Sequence, residues 1–99
     1  MNIKVVEKSY FIVPKAFSPN DDLLNDRISI KVTGSLRLSY FKIYNRYGQL
    51  VFETLDLNTS WDGKFKFMKQ PGGAYVWLAE GKDILGNVVN ANGSIVLIR

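Results

Sequence analysis

The 99-residue chain contains no cysteine and no histidine. Without cysteine, stability has to come from packing, with no disulfide or thiolate–metal help. Without histidine, the commonest general base and the commonest zinc ligand are missing, and Ser–His and Cys–His nucleophile systems are excluded. No stretch approaches the roughly 18 consecutive apolar residues of a membrane span. Residues 1–8 lack the apolar core of a signal peptide. Basic residues are scattered, the densest group being Lys64, Lys66 and Lys69. A net charge of +4 spread in this way describes a mildly basic surface. Neither nucleic-acid binding nor direct membrane insertion is expected from it, although the lysine stretch suits an acidic partner.

What the chain does have is hydrophobicity in strand period. Hydrophobic residues make up 46% of it, enough for one modest core in one domain. Ile28, Ile30 and Val32 alternate with Ser29 and Lys31, Leu36 and Leu38 flank Arg37, and Phe41 and Ile43 flank Lys42. The frame slips between Leu38 and Phe41, which predicts a β-bulge at Ser39-Tyr40. Tyr47-Gly48-Gln49 reads as a tight turn between strands at 40–45 and 50–54. Pro71-Gly72-Gly73 predicts a turn before a long strand at 74–82. A further turn at 83–87 leads to strands at 88–91 and 94–98, separated by Asn92-Gly93. No window keeps a helical period. The pattern predicts an all-β fold, an immunoglobulin-like antiparallel β-sandwich of about seven strands over residues 10–99. Residues 1–9 read as a linker or a first edge strand.

Three groups of residues invite a functional reading. In the segment 17–26, five of ten residues are Asn or Asp. Asn20, Asp22, Asn25 and Asp26 would offer the oxygen ligands that Ca²⁺ takes. The same residues are also ordinary turn formers, bonding to their own backbone. Trp61-Asp62-Gly63 offers either an exposed aromatic anchor or a lid on the core. The lid is the commoner role of a Trp beside a turn, with its indole N–H on a carbonyl and Asp62 capping the turn. Tyr75, Trp77 and Ala79 share one strand face, and Ala74, Val76 and Leu78 the other. An exposed aromatic stripe would bind sugars, whereas a strand apolar on both faces is a central core strand, the reading favoured here. No carboxylate pair is placed across a cleft by the spacing, and no enzyme is expected.

Five segments in order resemble one family, the gliding motility-associated C-terminal domain, which is the type B sorting domain of the Bacteroidetes type IX secretion system. They are Ala16-Phe17-Ser18-Pro19-Asn20 running to Asn25-Asp26, and Ile43-Tyr44-Asn45-Arg46-Tyr47-Gly48 leading into Val51-Phe52-Glu53. Trp61-Asp62-Gly63-Lys64, Pro71-Gly72-Gly73-Ala74-Tyr75 and the closing Gly93-Ser94-Ile95-Val96-Leu97-Ile98-Arg99 complete the set. Asp21 and Leu23 stand where the family commonly has glycine, and Gln70 where it has leucine. The resemblance implies an export address at the end of a larger adhesion or gliding protein of the cell surface, with the signal peptide far upstream. It implies recognition at the outer membrane by type IX components, including a porin-like partner of the PorP/SprF kind. Ser94, Ile95, Val96, Leu97, Ile98 and Arg99 are the candidate recognition element, as a terminal strand expected at a sheet edge. Pro19, Asn45, Arg46, Gly48, Trp61, Asp62 and Gly63 are expected to shape the turns around it. The rival expectations are an adhesive or carbohydrate-binding module and a structural spacer.

Overall fold

A computed structural model describes residues 9–20 and 26–99, and among these no helix occurs. The strands are β1 (Phe11–Ile12), β2 (Ala16–Phe17), β3 (Lys31–Val32), β4 (Arg37–Tyr44), β5 (Leu50–Thr54), β6 (Lys64–Phe65), β7 (Met68–Lys69), β8 (Gly73–Lys82) and β9 (Val88–Leu97). Five of them are only two residues long, which is why the count exceeds the seven expected.

Two turns of the same local chemistry set the register of the long strands. Between β4 and β5, Asn45 Oδ1 accepts the N–H groups of Tyr47 and Gln49, both at 2.9 Å, and Gly48 takes φ of 80°. Between β8 and β9, Asp83 Oδ1 accepts the N–H groups of Leu85 and Asn87, both at 2.9 Å, and Gly86 takes φ of 82°. In each, a side-chain oxygen satisfies two turn amides, and the glycine supplies the left-handed residue that closes the hairpin.

The main sheet has the order β2-β9-β8-β4-β5. Its pairs are antiparallel except β2–β9, which is parallel, a departure from the all-antiparallel expectation. Along β4 the register with β8 shifts between Leu38 and Tyr40, so Ser39 is the extra residue of a bulge, as the slipped frame predicts. The second layer is irregular. It holds the β1–β3 ladder, the β6–β7 hairpin and a lone bridge between Ile28 and Trp61. The expected strand at Ile28–Val32 is thus reduced to β3 and that bridge, although Ile28 and Ile30 are buried as the alternation requires.

Between the layers lies one core. The sheet contributes Phe17, Phe41, Ile43, Tyr75, Trp77, Ile95 and Leu97, and the other layer Ile28, Ile30 and Trp61. Trp61 is its centre, with ring centroids of Tyr75, Phe17 and Phe52 at 5.2, 5.5 and 6.5 Å. β8 is the middle strand, as expected, but its outward residues Val76 and Leu78 are exposed.

One expectation fails at Asn92-Gly93. The chain does not turn there; β9 runs unbroken from Val88 to Leu97. Gly93 faces Trp77 across the ladder, and a Cβ at Gly93 would stand 2.7 Å from the indole Nε1. The glycine is there for clearance, so that the ring can lie against the strand.

Candidate functional site

The motif-bearing segments, distant in sequence, meet at one end of the main sheet. β2 and β9 end there, β8 begins there, and the β4–β5 turn closes there. Arg99 ties them together. Its Nε donates to Gln70 O and its Nη2 to Gly63 O, both at 2.9 Å. Gly63 O also accepts the Gln70 N–H at 2.9 Å. Pro19 closes on the same point, since a Cβ at Gly63 would stand 3.2 Å from Pro19 Cγ and from Arg99 Nη2. The terminal arginine therefore bridges the Trp61-Asp62-Gly63 turn to the segment before Pro71.

The turn itself is built as a lid. Trp61 is buried, its indole N–H donates to Lys64 O at 2.8 Å, and Asp62 Oδ1 accepts the Lys64 N–H at 3.0 Å. Arg27 reinforces the lid from outside, with Nε on Ser60 Oγ at 2.7 Å. Pro19, Asp26, Arg27, Asp62, Lys64, Lys69 and Arg99 border an open cleft of about 300 Å³ at this end. A smaller cavity of about 120 Å³ lies between Asn45–Tyr47 and Gln70–Tyr75. Arg46 stacks on Tyr47, 5.1 Å from the ring centroid, and donates to its hydroxyl at 3.0 Å. Tyr75 donates its hydroxyl proton to Pro71 O at 2.6 Å. Burial raises the Tyr75 pKa above the ordinary phenol value, and the positive charges of Arg99 and Arg46 offset part of that rise.

Of the four oxygen-bearing residues expected to suit Ca²⁺, Asp22 and Asn25 lie outside the described residues. Asn20 and Asp26 are described, and Asp26 Oδ1 accepts the Asn20 N–H at 3.1 Å, the turn chemistry weighed against the cation. Among the described residues no group of three acidic or other ligating side chains comes together. The aromatic stripe points inward, with Tyr75 and Trp77 buried in the core, as the favoured core-strand reading expects and the rival sugar-site reading does not.

The terminal strand needs the largest correction. It is not a free edge at 96–98. β2 pairs with Val96 and Leu97, and the N–H groups of Val96 and Ile98 are donated to Lys15 O and Phe17 O at 2.8 and 2.9 Å. Ile95 and Leu97 are core residues, so they present no side chain to a partner. Ser94, Val96 and Ile98 face outward, Val96 44% and Ile98 51% exposed. The apolar residues Ala74 and Val76 of β8 face outward beside them. The free edge of β9 is instead its first half, from Val88 to Gly93, which among the described residues pairs with β8 alone. Sequence reasoning missed the β6–β7 hairpin and the part played by the Gln70 carbonyl. The first showed only as a lysine-rich stretch, and backbone acceptors carry no side-chain signature.

The model of the CHU_C type IX secretion signal domain matches residues 11–97, and so spans the whole described assembly apart from its outermost residues. The chain belongs to this family. It is a sorting module of the type IX system, the signal that marks a protein for secretion and the cell surface. Among solved structures, CopC from Methylosinus trichosporium OB3b is similar in fold, with a TM-score of 0.60 at 14% identity, covering 91% of this chain and 93% of that one. That likeness confirms the β-sandwich architecture of the secretion signal domain. No curated protein matches the chain.

Proposed function

We propose that the chain is the C-terminal sorting domain of a larger exported protein and is read in its folded state by an outer-membrane partner of the porin-like PorP/SprF kind. The observation that carries this reading is the alternation along the last residues. Ile95 and Leu97 enter the core while Val96 and Ile98 line the outer face. An address built in this way exists only on the folded domain, because unfolding removes the geometry that presents Val96 and Ile98 together. The exposed apolar strip of Val96, Ile98 and Val76 offers the desolvated centre that a protein interface needs. Arg99 acts in this reading by holding the strip in place.

The test is an export assay with a signal peptide and a fluorescent protein placed before residues 1–99, in a gliding host with and without the secretion system. System-dependent fluorescence on the surface or in the medium is the expected result. Replacing Val96 and Ile98 by Ser should leave stability within about 0.5 kcal/mol, as for exposed positions generally, and yet block export. Periplasmic retention of the folded wild-type fusion would overturn the sorting reading. Full export of the Val96→Ser/Ile98→Ser variant would overturn only the assignment of the strip.

A further inference from the structure

The β6–β7 hairpin holds the only non-glycine residues of positive φ among those described, Lys66 at 53° and Phe67 at 67°. Phe65 and Met68 pair across the ladder, so Lys66 and Phe67 form a two-residue turn with both residues left-handed. Asn-Gly adopts that turn without strain; Lys-Phe, with two Cβ atoms against the following carbonyls, does not. The strained residue is also bare. Phe67 is 99% exposed and Met68 70%. The root of the hairpin is fixed all the same. Phe65 packs against the core, Lys64 O accepts the Trp61 indole N–H at 2.8 Å, and Gln70 Nε2 donates to Met68 O at 3.2 Å. A rigid stem thus carries an aromatic ring and a thioether into solvent.

The charges around this tip point the same way. Lys64 and Lys69 stand directly opposite one another in the ladder, a like-charge pairing that opposes folding. Lys66 lies over the Phe65 ring, 5.3 Å from its centroid. Among the described residues the one ion pair joins Lys42 to Glu53, so none of the three lysines bridges a described carboxylate. Strain, an unburied Phe and opposed lysines all work against the isolated fold, and the last two become favourable against a surface that is negative outside and apolar beneath. Lysine suits such a surface better than a shaped protein pocket, since its flexible point charge follows phosphates without requiring fixed geometry.

We infer that the β6–β7 tip seats the domain peripherally on an anionic lipid surface, with Phe67 and Met68 at the acyl boundary and Lys64, Lys66 and Lys69 among the headgroup phosphates. This goes beyond the sorting role and uses a different part of the molecule from the Val96–Ile98 strip. It would concentrate the domain at a membrane before any protein partner engages it.

The experiment is cosedimentation of the 99-residue chain with vesicles of phosphatidylcholine alone and of phosphatidylcholine mixed with phosphatidylglycerol. Binding is expected to the mixed vesicles only, and to weaken steeply with added salt. Phe67→Ser should weaken it about tenfold or more, and Lys64→Gln with Lys69→Gln by a similar factor. The decisive variant is Lys66→Asn with Phe67→Gly, which relieves the turn and removes the anchor. It should melt at a higher temperature than the wild type and no longer sediment. Equal binding to both vesicle types, or wild-type binding by that stabilised variant, would overturn the proposal. So would absence of vesicle binding together with loss of export in Phe67→Ser, an outcome that places Phe67 in a protein pocket instead.

Discussion

The two halves of β9 both pair with β8 throughout but have opposite surroundings. In the second half β2 lies beside Val96 and Leu97, two core side chains lie beneath the strand and the Arg99 bridge closes its end. From Val88 to Gly93 it has, among the described residues, no second strand. That open half is Val88-Val89-Asn90-Ala91-Asn92-Gly93, without a charge or a proline to discourage pairing. The difference teaches that the terminal segment of this secretion signal domain is part of its core structure, and in the reading proposed above also its address. Deleting residues 95–99 would remove Ile95 and Leu97 from the core, so loss of export after truncation reports unfolding as readily as loss of recognition. Point substitutions separate the two.

The largest effect is expected at Leu97. Leu97→Ala removes a buried side chain from the closed half and should cost about 2–5 kcal/mol. Val89→Ala, in the open half, should cost well under half as much, because Val89 is only half-buried and borders no second strand. Denaturant midpoints of the two variants compare the halves directly. Equal losses would mean that the open half is as tightly held as the closed one.

The next effect sits where the halves join. Gly93→Ala drives a methyl group to 2.7 Å from the Trp77 Nε1, and overpacking of this kind costs about 1–3 kcal/mol. The indole must shift, so Trp77 emission should change with stability. Combining Gly93→Ala with Trp77→Phe should recover part of the loss, and a strictly additive double variant would show that the ring is not what the glycine accommodates.

How far the sequence reaches is clear from such particulars. The bulge at Ser39 was legible because a slipped alternation is visible within a few residues. So were the Asn45–Gln49 turn and the Trp61 lid, whose glycine, Asn and Asp cues act locally. Gly93 was not legible. A glycine needed for a turn and one needed to clear a ring look alike until Trp77 is known to lie across the strand. Nor was the placement of the terminal segment, since its parallel partner β2 is two residues long. The contacts of Arg99 reach carbonyls 29 and 36 residues away. The oxygen-rich segment 17–26 falls largely outside the described residues, and its Ca²⁺ expectation stays a matter for a melting experiment with and without the ion.

Arg99 tests the end of the closed half. Arg99→Ala removes two hydrogen bonds to carbonyls at a partly buried site and should cost about 1–2 kcal/mol, moderated because Gly63 O keeps the Gln70 N–H. Arg99→Lys keeps the charge but lacks the planar fork that reaches both acceptors, so an intermediate loss is expected. If alanine and lysine were equally harmless in denaturation, the bridge would not hold the Trp61 turn to the segment before Pro71.

The smallest effect is a dependence on pH carried by Tyr75, which pairs with Ile95 in the closed half. Its folded pKa is raised above 10.0, chiefly by burial, with Arg99 and Arg46 pulling the other way. For an acid raised on folding, the unfolded chain gives up its proton first as pH climbs. The unfolded state then binds fewer protons than the native one, and stability falls with rising pH. The contribution is complete below the unfolded value and is lost as pH passes from there through the folded value. Tyr75→Phe should remove that alkaline decline while costing about 0.5–1.5 kcal/mol near neutrality for the lost bond to Pro71 O. In Arg99→Ala the Tyr75 decline should begin at the same unfolded pKa and continue to a higher pH than in the wild type, since one of the charges that holds the phenol pKa down is gone. Denaturant titrations from neutral pH to well above 10.0 measure both. Identical alkaline slopes in wild type and Tyr75→Phe would mean that another group carries the dependence.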